Sequence, residues 1–161
     1  MNYFGAVIVV ASAYYVGASL AKREGDRLST VDSLLLLFAC IKRRVELERL
    51  PLYSIFSSFR DEHLERSGFL PILRSHRAGI SDLWREAMTC LTVDAEISGE
   101  LLRFGERLGS LPLEEQLRQI GSCCVLLEEK RKALRASLPP KQKSIKTVAL
   151  MLGMTVAIIL L

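Results

Sequence analysis

The first 21 residues and the last 15 residues of this 161-residue sequence contain no charged side chain. All 22 Lys and Arg residues and all 18 Asp and Glu residues therefore fall between positions 22 and 146. The mean hydropathy of +0.24 arises from two apolar ends attached to a middle part of ordinary soluble composition. The length allows one domain, and the distribution argues against a polytopic membrane protein and against a purely soluble enzyme.

The sequence also lacks the motifs that carry catalysis or bind metals. It has no phosphate-binding loop, no nucleophile elbow and no HExxH. The four cysteines show no paired spacing of a zinc or redox motif, so we expect reduced core thiols. Cys123 and Cys124 lie about 100° apart on a helix, so at most one of them faces the core fully. His63 and His76 have no cysteine or carboxylate at ligand spacing. The sequence predicts no enzyme activity, no metal and no cofactor.

Residues 3–21 form an uncharged run of 19 residues. As a helix this run is about 28 Å long, close to the roughly 30 Å of a bilayer core. A cleaved signal peptide is the alternative, because Ala11-Ser12-Ala13 is typical of a signal-peptidase site, but no Lys or Arg precedes it. We predict an N-terminal transmembrane anchor.

Residues 147–161 form a shorter uncharged run of 15 residues. A helix of this length reaches about 22 Å, which is short for a full crossing. Lys143 and Lys146 could snorkel at the near interface, so a thinned or incomplete crossing is feasible, and a buried soluble helix is the alternative. We predict a C-terminal transmembrane or membrane-inserted segment.

Small residues recur every four positions in both apolar segments. This spacing lets membrane helices pack closely, although it also occurs in ordinary lipid-facing composition. The residues are Ala13, Gly17 and Ala21 in the first segment and Ala149, Gly153 and Ala157 in the second. We expect the two segments to pack against each other or against another subunit.

Basic residues flank both apolar segments on the side of the middle part. Lys22, Arg23 and Arg27 follow the first segment, and seven Lys and Arg residues with no acid lie within residues 130–146. Positive flanks stay in the cytoplasm, so residues 22–144 are predicted to form a cytoplasmic domain. Such a basic run near a bilayer also attracts anionic lipid.

The basic run in isolation suggests a nucleic-acid partner, but two observations oppose this. The run contains no aromatic residue for base stacking. Residues 28–129 carry 12 basic and 16 acidic side chains, a net charge of −4. We therefore predict contact with the lipid bilayer and no nucleic-acid binding.

Apolar residues recur at helical spacing throughout residues 22–144, and no stretch alternates as a strand does. Capping residues and prolines predict four helix starts. They lie at Ser29 with Asp32, at Pro51, at Ser81, and at Thr92 or Asp94. The apolar run of residues 34–41 is expected to be the most buried part of the domain.

Glycines and prolines predict where the helices end. The helix after Pro51 is expected to stop near Gly68, residues 71–78 allow a short helix, and another helix stops at Gly109. The last helix spans about residues 113–138 and is expected to break at Pro139-Pro140. The fold class is thus all-α: a compact bundle of about six helices flanked by an N-terminal and a C-terminal membrane helix.

One motif is more specific than these patterns. Phe104-Gly105, Leu108-Gly109, Gln116 and Ile120 resemble the FGxxLGxxDxxxQxxxI signature of the stage III sporulation protein AB family. Further similarities along the chain are the apolar N-terminus with Gly5, the stretch ending in Pro51-Leu52, Trp84 ahead of Thr92-Val93-Asp94, and the apolar C-terminus. Two features depart from the family pattern. The signature has Asp where this sequence has Pro112, and the Pro139-Pro140 break is the second departure.

The resemblance implies a membrane-anchored protein of endospore formation, located in the mother-cell membrane around the forespore with most of its chain cytoplasmic. Its helical domain would be similar to the cytoplasmic domain of type II secretion and type IV pilus platform proteins. The implied role is a platform that links a cytoplasmic secretion-type ATPase to other membrane subunits of the channel between mother cell and forespore.

The motif also has a physical interpretation that does not depend on the family. Gly105 and Gly109 share a helix edge beside Phe104 and Leu108, where another backbone could approach closely. Alternatively, Gly105 serves packing and Gly109 ends the helix. Gln116 could brace the turn between the last two helices by hydrogen bonding, or it could be exposed. Two other functions stay open: a platform protein of a pilus or general secretion system, and a ligand-binding helical bundle.

Overall fold

The computed structural model describes residues 3–48, 51–75, 77–108 and 111–160. These residues form seven α-helices and no strand, which confirms the all-α prediction. The helices are α1 (Tyr3–Glu48), α2 (Leu52–Ser58), α3 (Glu62–Arg66), α4 (Phe69–Leu73), α5 (Ile80–Met88), α6 (Ala95–Glu106) and α7 (Leu113–Leu160). The chain divides into two compact units, Met1–Leu28 with Ala133–Leu161, and Ser29–Lys132.

The first unit contains the beginning of α1 and the end of α7. Most side chains of the predicted membrane segments 3–21 and 147–161 lie outside those that the structure describes. The same holds for all five proposed packing residues, Ala13, Gly17, Ala149, Gly153 and Ala157, so this prediction remains untested. Within the part of the chain that was described, none of the helices has an apolar stretch sufficient to cross a membrane.

Helix α1 does not begin at Ser29, so the predicted capping box is wrong. Residues 22–28 continue the helix that starts at Tyr3. This stretch has no proline, and its only glycine, Gly25, costs about 1 kcal/mol relative to alanine. An uninterrupted helix of good helix formers avoids leaving four backbone N–H groups without partners at a new start.

The predicted helix break at Pro139-Pro140 is also wrong, because α7 is continuous from Leu113 to Leu160. Two prolines remove the N–H groups that would bond the carbonyls of Arg135 and Ala136. Both residues are exposed, so water can reach these two carbonyls. The prolines therefore weaken the helix here without ending it.

The single helix predicted after Pro51 is two short helices in the structure. Phe59 adopts an extended backbone conformation after α2. Asp61 then caps α3, with its carboxylate accepting a hydrogen bond of 2.9 Å from the backbone N–H of Leu64. The predicted stop near Gly68 is confirmed: Gly68 has φ +89°, a left-handed conformation that glycine adopts without strain.

The remaining helix limits are partly as predicted. Helix α4 is short but begins at Phe69 instead of within residues 71–78. The predicted start at Ser81 is wrong, since Gly79 precedes α5 and Ser81 lies in its first turn. Asp94 directly precedes α6, which confirms one of the two expected starts. Gly109 lies outside the described residues.

The core of the second unit is built from one face of each helix. Its largest fully buried side chains are Trp84, Phe38, Phe56, Phe69, Leu34, Leu37, Ile41, Ile55, Leu64, Leu70, Leu73 and Ile97. Four of them belong to the apolar run 34–41 of α1, as expected from the sequence. Leu36 is nevertheless 60% exposed, because a run that is apolar on every side still places one side away from the bundle.

Candidate functional site

The family motif on α6 packs against a single tryptophan of α5. A Cβ atom added at Gly105 would lie only 2.0 Å from Cδ1 of Trp84 and 2.7 Å from its Cγ, so any side chain here would displace the indole ring. The indole Nε1–H of the fully buried Trp84 donates a hydrogen bond of 2.7 Å to the carbonyl oxygen of Leu101, one turn earlier on α6. The lack of a side chain at Gly105 thus leaves room for the Trp84 ring, which agrees with the packing alternative, and the expected approach of another backbone at this residue is wrong.

Trp84 is also the centre of an aromatic cluster. Its ring centroid lies 5.4 Å from Phe69 and 5.5 Å from Phe104, both in edge-to-face geometry. Phe38 lies 6.0 Å away and Phe56 lies 6.1 Å away. Edge-to-face pairs at these distances contribute about 0.5–1.5 kcal/mol each beyond their buried area. Phe104, the first residue of the motif, is therefore a core residue.

The rest of the motif forms the passage from α6 to α7. Leu108 is buried, and its backbone N–H bonds to the carbonyl of Gly105 at 3.2 Å. Gln116 is half-buried and makes no side-chain hydrogen bond among the described residues; its backbone N–H bonds to the carbonyl of Pro112 at 3.0 Å. Pro112 thus precedes the first turn of α7, where a missing N–H costs nothing.

A surface groove lies between α1 and α7, within the second unit. It has a volume of about 730 Å³, and Lys42 forms its α1 side. The α7 side includes Gly121, Cys124, Val125, Glu128 and Glu129. Val125 is 59% exposed, although it is a large apolar residue. None of these residues belongs to the motif, and no pattern in the sequence indicates that they share a surface.

A second, smaller cleft of about 170 Å³ lies between α6 and α7. Its lining includes Glu100, Arg103 and Phe104 of α6 and Gln119, Ser122 and Cys123 of α7. Arg103 is engaged by Glu100 at 2.7 Å. This cleft places one motif residue, Phe104, at the edge of the surface.

The described part of the basic run, residues 130–137, includes side chains that contact the helical domain. Lys130 forms an ion pair with Glu96 of α6, and Arg131 lies 3.9 Å from the carboxylate of Asp32 on α1. Hydrogen bonding to Glu96 raises the pKa of Lys130. The first two charges of the predicted lipid-facing run therefore attach α7 to its own domain, while Lys132 is exposed.

The four cysteines have different environments. Cys123 is buried, Cys40 and Cys124 are half-buried, and Cys90 is exposed, so the core-thiol prediction is wrong for Cys90. Only one of Cys123 and Cys124 is fully in the core, as expected from their angular separation. Burial raises the pKa of Cys123 to about 12, and the nearby Cys124 and Glu100 act in the same direction. No cluster suitable for a metal ion occurs among the described residues.

Two groups of polar contacts join the short helices to the bundle. Arg74 donates hydrogen bonds to the carbonyls of Phe56, at 3.0 Å, and Phe59, and it pairs with Glu65 at 3.1 Å. The hydroxyl of the buried Thr30 lies 2.8 Å from Nε2 of His63. His63 therefore has a structural partner on α1, and His76 lies outside the described residues. No periodicity in the sequence indicates either contact.

These features define an all-helical protein whose most specific sequence motif makes core contacts around one tryptophan. The family model of stage III sporulation protein AB (spore_III_AB) matches residues 2–161. The chain belongs to this family, as its motif indicated, and is a sporulation-related protein. No curated protein and no solved structure matches the chain.

Proposed function

We propose that this protein is a membrane-anchored platform subunit of a secretion-like channel complex required for endospore formation. In this role it links a cytoplasmic secretion-type ATPase to membrane subunits of the channel between mother cell and forespore. Family membership over residues 2–161 is the observation that carries the proposal. The helical core, which is filled with aromatic and aliphatic side chains, suits a rigid connecting element.

The two apolar ends would hold the protein in the mother-cell membrane. All charged residues lie between positions 22 and 146, and basic residues flank both ends on the domain side. Three large apolar side chains of the end segments are exposed: Tyr15, Val148 and Met151. Exposed apolar surface of this kind favours contact with lipid or with another membrane subunit.

The helical domain between the two ends would then lie in the mother-cell cytoplasm, where the ATPase acts. Residues 28–129 have a net charge of −4, so the domain presents an acidic surface to its partner. Many of its acids are already paired with neighbouring bases, as Glu62 is with Arg66 and Glu86 is with Arg77. Acids without such pairs are the ones that remain available to a partner.

Deletion of the gene, combined with a binding measurement on the full chain in detergent, tests this function. Loss of the protein should abolish heat-resistant spores while vegetative growth continues, and the purified chain should bind the secretion-type ATPase of the same sporulation complex. Normal spore counts after deletion would contradict the role in spore formation. Expression in vegetative cells would instead favour a pilus or general secretion platform.

A further inference from the structure

Resting on the membrane attachment in the proposed function, we infer that two lysines beside the C-terminal apolar run bind the headgroups of anionic phospholipids. The two residues, called the near pair here, are Lys143 and Lys146. They precede the uncharged residues 147–161 by four positions and by one position. The lipid contact is thus assigned to the end of the basic run and not to the whole run.

The beginning of the basic run belongs to the helical domain. Lys130 forms an ion pair with Glu96 of α6. A guanidinium nitrogen of Arg131 lies 3.9 Å from the carboxylate of Asp32 on α1. The side chains of Lys130 and Arg131 are only 28% and 31% exposed. Lipid binding by these two residues would require both contacts to break, so they are not part of the inferred site.

Distance from the apolar run separates the remaining residues. Helix α7 is continuous, so the near pair lies within about 6 Å of the apolar run along the helix axis. Lys132 and Arg135, called the far pair here, lie about 18–22 Å from it. The Debye length at physiological ionic strength is about 8 Å. Charged headgroups at the end of the apolar run therefore act on the near pair within one Debye length, and on the far pair only beyond two.

The sign of the charge beside the apolar run selects an anionic headgroup. Residues 141–146 contain three lysines and no acid, a net charge of +3. The stretch after the N-terminal run, residues 22–27, contains three basic and two acidic residues, a net charge of +1, although Lys22 and Arg23 are exposed. Basic clusters directly beside a membrane segment attract anionic lipids. The C-terminal flank is therefore the stronger site of the two.

Native mass spectrometry of the full chain in detergent tests the inference, with phosphatidylglycerol and phosphatidylcholine as the probes. The wild type should bind phosphatidylglycerol about fivefold more tightly or better, because the near pair attracts its charge. Lys143→Gln/Lys146→Gln should reduce this preference to less than about twofold. Lys132→Gln/Arg135→Gln removes two charges from the same helix and should preserve the preference of the wild type. Added salt should lower the preference of the wild type, because it screens the charges.

A soluble phosphate distinguishes the lipid from other sources of the same chemistry. Glycerol phosphate offers the headgroup without acyl chains, and at equal concentration it should not displace phosphatidylglycerol. Displacement would show that the site recognises a free phosphate, and the assignment to lipid would be wrong.

The outcomes separate the inference from the function on which it rests. Alkaline extraction of the wild-type chain from phosphatidylcholine vesicles tests the membrane attachment, and release of the chain would overturn both. A retained chain with equal affinity for the two lipids would overturn the inference alone. Equal losses of preference in the near-pair and far-pair variants would do the same. If Lys143→Gln/Lys146→Gln lowers the melting temperature, Lys143→Arg/Lys146→Arg keeps both charges and should retain the preference, and its loss would contradict the inference.

Discussion

At the scale of single residues, Gly105 and Trp84 explain why the most specific motif of the sequence is buried. The indole ring occupies the space where a side chain at position 105 would be, and its N–H bonds the α6 backbone. Interiors are packed to the density of organic crystals, so this pair tolerates little change in volume. The fold therefore requires this motif. A surface that binds a partner must lie elsewhere on the domain.

Gly105→Ala and Gly99→Ala test this packing on the same helix. The Cβ at position 105 forces the Trp84 ring to move, so the free energy of unfolding should fall by about 1–3 kcal/mol. Position 99 has open space around an added Cβ, so alanine there should raise the free energy of unfolding by about 0.5–1 kcal/mol. Urea unfolding of both variants measures the difference. Equal effects of the two substitutions would show that Trp84 does not constrain position 105.

Burial of the Cys123 thiol should make the folded state less stable at alkaline pH. Its pKa is raised from 9.0 to about 12, so the neutral thiol stabilises the folded state fully below pH 9. This contribution should be lost as the pH rises through 12, since the unfolded thiol ionises earlier. Between pH 8 and 11 the melting temperature of the wild type should fall more than that of Cys123→Ala. Cys90→Ala, at an exposed position, should follow the wild type, and parallel curves for all three would contradict the burial of Cys123.

At the scale of helices, Arg74 connects three short elements. It bonds the backbone of α2 and the residue after it, and pairs with Glu65 of α3, while its own carbonyl accepts the Tyr53 hydroxyl at 3.3 Å. Helices of five to seven residues are unstable alone, so such contacts, together with apolar burial, hold them in place.

Arg74→Ala should lower the free energy of unfolding by about 2 kcal/mol, because two backbone carbonyls lose a charged donor. Arg66→Ala is the control: its ion pair with Glu62 is 77% exposed on both sides and is worth less than about 1 kcal/mol. Chemical denaturation compares the two. A loss no larger at Arg74 than at Arg66 would mean that the short helices are held by apolar burial alone.

The sequence predicts which segments are helical better than where they begin. The all-α class and the stop at Gly68 follow from local patterns, because apolar spacing and a left-handed glycine act over a few residues. Ser29 failed as a start because a capping side chain marks only a candidate and residues 22–28 also favour helix, whereas α5 begins one residue before Ser81, at Ile80. The groove around Val125 could not be predicted, since it depends on how α1 and α7 meet in the fold.

At the scale of the whole molecule, the chain separates a helical domain of residues 29–132 from a unit that holds the two apolar ends. The proposed function assigns these parts different tasks, partner binding to the domain and membrane attachment to the ends. Substitutions in one part should therefore affect one task. The net charge of −4 over residues 28–129 and the basic flanks are consistent with this division.

Gly153→Ile tests the membrane task. If the small residues of the C-terminal segment pack closely against another helix, the larger side chain should weaken assembly of the complex in membranes. The melting temperature of the helical domain should stay unchanged. Val148→Ile, at an exposed position of the same helix, should leave assembly intact. Cross-linking of the full chain in membranes measures both, and normal assembly of Gly153→Ile would remove the helix-packing role.

The distribution of the ATPase in sporulating cells tests the central claim most directly. The fraction of the ATPase that sediments with membranes is measured in sporulating cells with the wild-type chain and in cells without the chain. We predict a membrane-associated ATPase in the wild type and a largely soluble ATPase in cells without the chain. An ATPase that remains at the membrane when the chain is absent would contradict the proposed link.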